Sequence, residues 1–438
     1  MVVTTQTTES RKELQMNANI FINKLKSILS EKKLNRLGKQ VAFTKRERNI
    51  TAFHMVVSLV AALGDKKTVY LSEILRVYNQ LTGQSIKYKP FHNQLVKPEL
   101  AELMREVTNR VFNCWINDAL KYTKKDLFKF ENILIQDGSS IMLHRSLKDV
   151  FPGRFSNTCP AAIELHATLN LTQGCFEKAG ITPDSYSERE ELPTFKELKG
   201  QLLLADRGYY SGSYIHELDK AGGFYVLRAK GLKAVRVHNA FKQNGQELTG
   251  SHSPKLCELL PELPKNDLID MNVSIKNKLT RVVGYWSKKE KQYTFLVTNL
   301  SIDEFTATEI GKLYRLRWQV ELLFKECKSY NNLRGFQTSN ATLQEALIYV
   351  SLIVTTLKRF LTGCIEKIFK TEMSTMTVAK TTGVWWISIL TAIIRKHRKG
   401  LLNAVNGAFD FLRKNAARAH PKRDRKTGVF QYGVEPNF

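Results

Sequence analysis

Two short apolar runs, each leading to an aspartate, set the strongest limit on how this chain folds. Ile133-Leu134-Ile135 leads into Gln136-Asp137-Gly138-Ser139-Ser140, and Leu202-Leu203-Leu204-Ala205 leads into Asp206-Arg207-Gly208-Tyr209-Tyr210. Short runs rich in Ile and Leu, ended by glycine-containing turns, read as buried strands. Further strands are expected at Leu165–Leu171, Cys175–Ile181 and Phe224–Arg228, the last after a helical pattern over Tyr214–Ala221. Strands interleaved with helices, with an acid at the end of two of them, imply an α/β layer. Taken singly, each acid is equally well explained as a turn former.

The flanking regions have a different texture. Residues 1–128 carry helical patterns and many cations, among them Lys24, Lys26, Lys32, Lys33, Arg36, Lys39, Lys45, Arg46 and Arg48. Within them, Leu71–Leu81 and a second short helix ending near Leu95 flank Thr82-Gly83-Gln84-Ser85. Gly83 suits the position after a helix and Ser85 suits a cap for the next, so residues 71–95 read as a helix-turn-helix or as an ordinary αα corner. Over 230–308, strands are expected at Ala234–Val237, Ile269–Ile275, Thr280–Trp286 and Tyr293–Thr298, with Pro254, Pro261 and Pro264 between them. This stretch reads as a β-rich insertion in the α/β layer, which resumes as helix from Phe305. The expected units are therefore 1–128 helical, 129–229 α/β, 230–308 β-rich, 309–362 α/β resumed, and 363–438 helical and basic.

Charge narrows the partners. The chain has 67 Lys and Arg against 41 Asp and Glu, a formal charge of +26 and a pI near 9.7. A cation of this size attracts polyanions, nucleic acid first, with an acidic membrane surface or plain solubility as alternatives. Between Arg395 and Lys426 eleven Lys and Arg face two Asp. The six cysteines form no CxxC pair or zinc spacing and read as reduced thiols. The polar N-terminus carries no apolar signal region. Ala346–Leu357 and Val384–Ile394 are too short and too interrupted for membrane spans and read as buried helices. A cytoplasmic, nucleic-acid-associated protein without membrane contact is expected.

The segment from Tyr314 to Lys328 carries the chemistry. On a helix turning about 100° per residue, Tyr314, Arg317, Glu321 and Lys328 share an arc of about 60°. Leu313, Leu316, Val320, Leu323, Phe324 and Cys327 form the buried stripe beside it. Glu326 falls well away from that arc, which favours Glu321 as the functional acid and makes Glu326→Ala the expected neutral control. A solvated face with an i,i+4 Arg317–Glu321 pair explains the spacing equally well. Should Asp137 and Asp206 converge on Glu321, their repulsion would be relieved by a hard divalent cation held by oxygen ligands. Two Mg²⁺ or Mn²⁺ ions about 4 Å apart could then activate water against a phosphodiester.

These residues resemble a known family. Tyr314, Arg317, Glu321 and Lys328, separated by two, three and six residues, are similar to the Y-R-E-K signature of insertion-sequence-four DDE transposases. Asp137 in QDGSS and Asp206 in LLLADRGYYS resemble that family's first and second acidic motifs, and the likeness spans roughly residues 45–360. The resemblance implies a ribonuclease H-like catalytic core interrupted by a β-rich insertion, with helical regions at both ends. It implies Asp137, Asp206 and Glu321 as catalytic metal ligands for two Mg²⁺ or Mn²⁺ ions, and Tyr314, Arg317 and Lys328 as phosphate contacts. Trp318 packs against DNA or is a half-buried helix aromatic. The expected activity is metal-dependent excision at terminal inverted repeats and strand transfer into target DNA by a homodimer of a bacterial, nucleoid-associated protein. A non-catalytic DNA-binding regulator and a nuclease without joining are the other readings. Relatives that form a DNA hairpin stack a flipped base on a Trp in the strand before the signature helix. The equivalent strand here holds Tyr293 and no Trp, so stacking would fall to Tyr293 or Trp286.

Overall fold

The computed structural model describes residues 18–46, 49–65, 70–119, 130–172, 174–249, 253–288, 290–331, 333 and 338–420. Arg48 and the tail cations from Lys422 to Lys426 lie outside these residues.

A mixed ten-stranded sheet is the centre of the molecule. Its strands are β1 (Ile133–Met142), β2 (Pro152–Phe155), β3 (Cys159–Asn170), β4 (Cys175–Pro183), β5 (Leu202–Ala205), β6 (Phe224–Arg228), β7 (Val237–Lys242), β8 (Ile269–Ile275), β9 (Lys278–Ser287) and β10 (Gln292–Thr298). The order across the sheet is β2-β3-β1-β5-β6-β10-β9-β8-β7, with β4 also pairing β3. β1 runs antiparallel to β3 and parallel to β5, and β5 runs parallel to β6. The β5–β6 crossover is a helix, α6 below (Gly212–Lys220), as parallel neighbours require.

Alternation assigns the two faces. Ile133, Ile135, Leu202 and Leu204 enter one apolar core, while Leu134, Leu203 and Ala205 enter the other. Both faces of the central strands are thus covered, which explains why their apolar runs are unbroken. The same period of two carries Asp137 and Asp206 to the face shared with Ile135 and Leu204. Gln136, Gly138 and Ser140 belong to the opposite face.

The helices are α1 (Glu31–Gln40), α2 (Ala52–Gly64), α3 (Leu71–Thr82), α4 (Tyr88–Leu95), α5 (Pro98–Ala119), α6 (Gly212–Lys220), α7 (Ala307–Arg315), α8 (Trp318–Tyr330), α9 (Ala341–Phe369), α10 (Thr375–Thr381), α11 (Gly383–Ile394) and α12 (Arg398–Asn415). Helices from the two ends of the chain pack together. The Trp386 indole donates from Nε1 to the Val60 carbonyl at 3.2 Å, and a Cβ at Gly64 would overlap its ring. Arg395 donates to the Gln80 carbonyl at 2.8 Å. Lys358, 2% exposed, donates to the carbonyls of Gly64 and Ala379 and to Asn331 Oδ1 at 2.9–3.0 Å, pinning α2, α10 and the end of α8 at one point. α9 passes a length and hydropathy test for a membrane span, yet 78% of its apolar window is buried within the protein.

Several expectations need correction. Asp137 does not follow a strand; β1 runs through it to Met142, because Gly138–Met142 pair in register with His166–Ala162 of β3. The helix expected over 309–330 is two helices, with i→i−3 bonds at the junction, including Arg317 N to Tyr314 O and Val320 N to Arg317 O. No strand covers Ala234–Val237: Leu232–Ala234 is a 3₁₀ turn and the strand starts at Val237. α3 and α4 form as expected, with Gly83 at φ 71°, but Lys87 rather than Ser85 precedes α4 and supplies no side-chain cap. β10 pairs antiparallel with β6, Leu296 opposite Arg228, so β7–β10 extend the central sheet.

Candidate active site

Asp137 projects from the interior of β1, Asp206 from the residue after β5, and Glu321 from the first turn of α8. These segments are far apart in sequence, and one arginine joins two of them. Arg317 donates from Nη1 to Asp137 Oδ2 and from Nη2 to Glu321 Oε1, both at 2.6 Å. Its Nε is buried without a hydrogen-bond partner. The Tyr314 hydroxyl donates to Asp206 Oδ1 at 2.9 Å, and the Arg228 guanidinium lies 3.9 Å from the same oxygen. Lys328 reaches the loop-ward half of β1, donating to Ser139 Oγ and, at 3.1 Å, to the Ser140 carbonyl.

The helix junction matters here. Tyr314 ends one helix and Arg317 caps the next, so the phenol and the guanidinium leave the backbone from different axes yet meet 5.8 Å apart. Trp318, beside them, is 56% exposed.

The electrostatics reflect burial first and the crowding of acids second. Burial lifts the Asp137 carboxyl to about 6, and the neighbouring Asp206 and Glu321 add to the rise while Arg317 and the Gly138 amide oppose it. The Tyr314 phenol is pushed up by burial and then by Asp206. Glu321 keeps 44% of its side chain in solvent and Asp206 32%. Oxygen donors of this kind suit hard divalent cations. Among the described residues, no group of three His, Cys, Asp or Glu is close-set enough to hold a metal ion. The reason is visible: Arg317 stands between two of the acids.

Glu326 differs from its expectation. It lies away from Glu321, but it is 1% exposed, bonded twice to Arg359 at 2.8 and 3.1 Å and to the Thr375 hydroxyl. Arg359 also donates to the Gly174 carbonyl. Glu326 therefore anchors α8 and is no neutral control. Tyr293, on β10, donates its hydroxyl to the Leu263 carbonyl at 2.5 Å and packs edge-on against Trp286, over which the Lys265 ammonium sits at 4.5 Å. Neither aromatic joins the three acids in any contact described here. Arg228 was not picked out from the sequence; the signal was available in its place at the end of the strand parallel to the one bearing Asp206.

Convergent carboxylates flanked by arginine and lysine equip an enzyme that works on phosphodiester bonds, and comparison with known proteins makes the class specific. A family model described as the transposase DDE domain matches residues 128–357, more than half of the chain. The protein belongs to that family, a DNA transposase whose chemistry is cleavage and transfer of phosphodiester bonds and whose members use divalent metal ions. It is 24% identical to the transposase for insertion sequence element IS1151 of Clostridium perfringens, over 68% of this chain and 70% of that one. It is 21% identical to the transposase for insertion sequence element IS231B of Bacillus thuringiensis subsp. berliner, over 94% and 95% of the two chains. Among solved structures it is similar to piggyBac transposase in a synaptic complex with hairpin DNA, at a TM-score of 0.48 and 12% identity, over 88% and 85%.

Proposed function

We propose that this transposase excises an insertion sequence at its terminal inverted repeats and joins it to target DNA, with Asp137, Asp206 and Glu321 as the ligands of two Mg²⁺ or Mn²⁺ ions. The observation that carries the reading is the pair of 2.6 Å bonds from Arg317 to Asp137 and Glu321, together with the Tyr314–Asp206 bond. Acids and cations separated by more than a hundred residues meet in one centre, as a metal site and its phosphate contacts must.

The residues fit the ions by chemistry. Every donor is a carboxylate oxygen, and the proton affinity of Asp137 is raised by burial first and then by the other two acids. Bound ions would activate the attacking oxygen and stabilise the leaving one. The chain itself does the rest. Arg317 neutralises two acids until ions do so; released, its guanidinium is placed to hold a phosphate in two-pronged fashion. Lys328, tied to Ser139 and Ser140, fixes a second cation at a set height along β1. Attack by water breaks a P–O bond and frees a 3′-hydroxyl, which then attacks a target phosphodiester with loss of the target's own 3′-oxygen.

The strand order β4-β3-β1-β5-β6, three strands antiparallel and then two parallel, supports a ribonuclease H-like core within 129–229, completed by helices in 309–362. Residues 230–308 are its β-rich insertion. The helix pair α3–α4 in the helical region 1–128 is the candidate for binding the terminal repeats, and the basic helices of 363–438 for backbone contact or for a homodimer in the nucleoid. Trp318, exposed beside Arg317, faces the DNA. For hairpin stacking Trp286 is better suited than Tyr293, whose hydroxyl is already committed to Leu263.

Asp137→Ala and Glu321→Ala should each abolish cleavage of a terminal-repeat duplex in Mg²⁺ while binding persists. Undiminished cleavage by either variant would overturn the ligand assignment. End-labelled strand-transfer products test the joining step, and their absence alongside cleavage would leave a nuclease.

A further inference from the structure

A second charged cluster lies behind the acids, on the opposite face of β1. Its hub is Arg154 of β2, an edge residue that no acidic motif includes. Arg154 Nη2 donates to Glu164 Oε2 at 2.7 Å and to Glu188 Oε1 at 3.3 Å. Its Nε donates to the Asp184 carbonyl at 3.1 Å, and its own amide to Asp184 Oδ2 at 3.0 Å. Asp184 Oδ1 in turn accepts from the Ser140 hydroxyl at 2.6 Å, which returns the cluster to β1. His166, next along the same face of β3, bonds the Tyr209 hydroxyl at 3.0 Å and the Thr182 hydroxyl at 2.9 Å.

Two glycines show what the cluster presses on. A Cβ at Gly138 would overlap the Glu164 carboxylate and stand 3.1 Å from the Tyr209 hydroxyl. A Cβ at Gly208 would overlap the Glu188 carboxylate. Gly138 follows Asp137 directly, and Gly208 lies two residues after Asp206. The glycines of both motifs are thus bare because a carboxylate occupies the place of a side chain, and both carboxylates end on one guanidinium.

We propose that Arg154 is a positioning residue that sets both aspartates at once, holding β1 at Asp137 through Glu164 and the turn after Asp206 through Glu188. The physical case is the cost of its loss. Glu164 and Asp184 are only 5% and 4% exposed, and among the described residues no other cation is bonded to either of them. Without Arg154 two buried carboxylates and Glu188 face one another with no counter-charge, and they separate or take up protons. Separation removes the packing against Gly138 and Gly208, and protonation removes the ionic hold that fixes those carboxyl groups in place. Ligand groups held from behind in this way lose metal affinity and turnover when the support goes, although nothing that touches the substrate has changed.

The inference rests on Asp137, Asp206 and Glu321 being, as one set, the acids of the reaction. The experiment measures cleavage of a terminal-repeat duplex against Mn²⁺ and DNA concentration for Arg154→Gln, Arg154→Lys, Glu188→Ala and Glu321→Ala, with thermal melting of each. For Arg154→Gln the expected result is turnover down by about 10- to 100-fold and a raised half-saturating Mn²⁺ concentration, with the KM for DNA unchanged. Arg154→Lys should recover part of the loss. Glu188→Ala removes the contact with Gly208 and one bond of Arg154 while leaving Glu164 and Asp184 paired, and should show the same split to a smaller degree, which decides the matter if Arg154→Gln does not fold. Wild-type turnover and Mn²⁺ requirement in a folded Arg154→Gln, or in Glu188→Ala where Arg154→Gln fails to fold, overturns the proposal, as does a loss that only follows the unfolded fraction. Cleavage by Glu321→Ala would instead overturn the underlying acid assignment.

Discussion

Glu321 and Glu326 stand on the same helix, five residues apart, and are held in opposite ways. Glu326 is sealed from solvent and matched to one arginine and one hydroxyl, each of its oxygens engaged. Glu321 is nearly half exposed and shares a single arginine with Asp137, in a centre where three acids outnumber the cations bonded to them. A matched buried pair fixes geometry, whereas an under-neutralised, open set of acids has work left for an incoming cation. The difference separates an acid that holds the helix from one that we propose acts in the reaction.

The comparison can be broken or sharpened by substitution. Removing Glu321 should have the largest effect on activity: cleavage falls by at least about a thousandfold as several kcal/mol of metal-supplied stabilisation are lost, while the melting temperature barely moves. Glu326→Ala should reverse that pattern. Stranding Arg359 in the interior costs about 3–5 kcal/mol, read as a lowered urea midpoint. The pair change Glu326→Leu with Arg359→Met should recover most of it, and full stability in the single variant would erase the contrast.

A third test concerns the lysine behind the same helix. Burial pulls the Lys358 amine down to about 7 from 10.5, against the pull of Asp65 and Glu326. The unfolded chain then holds a proton that the folded one releases between those values. Stability should therefore rise with pH from about 7 to 10.5 and be lost below, and Lys358→Met should flatten the rise. A flat profile in the unaltered protein would contradict the neutral amine. The smallest effect is expected at Trp318. Its replacement by Ala should leave stability within about 0.5 kcal/mol and weaken binding of terminal-repeat DNA by about 1 kcal/mol, measured by titration.

Much of the centre was legible in the sequence, for particular reasons. Asp206 was placed because a four-residue apolar run fully buried on both faces leaves a plain signal. The 3.6-residue period found the neighbourhood of Tyr314, Arg317, Glu321 and Lys328 even though it missed the break, since i→i−3 bonds at Arg317 rotate the chain only slightly. What escaped was decided by partners distant in sequence. Gly138 looks like a turn residue, and only Glu164 shows why a strand carries it. Glu326 looks solvated, and only Arg359 and Thr375 bury it. The joining of β7–β10 to the central sheet depends on one strand pair, β6 with β10, about seventy positions apart.

The packing of Trp386 against Gly64 has a consequence for the order in which the molecule is made. Synthesis runs from the first residue to the last, so α2 leaves the ribosome more than three hundred residues before the indole that completes its cover. Throughout that interval the apolar surface of α2 waits unfinished, and for most of it the Gly64 carbonyl waits for Lys358. The cover of α2 closes only once α11 has been made, so a product truncated before Trp386 lacks it.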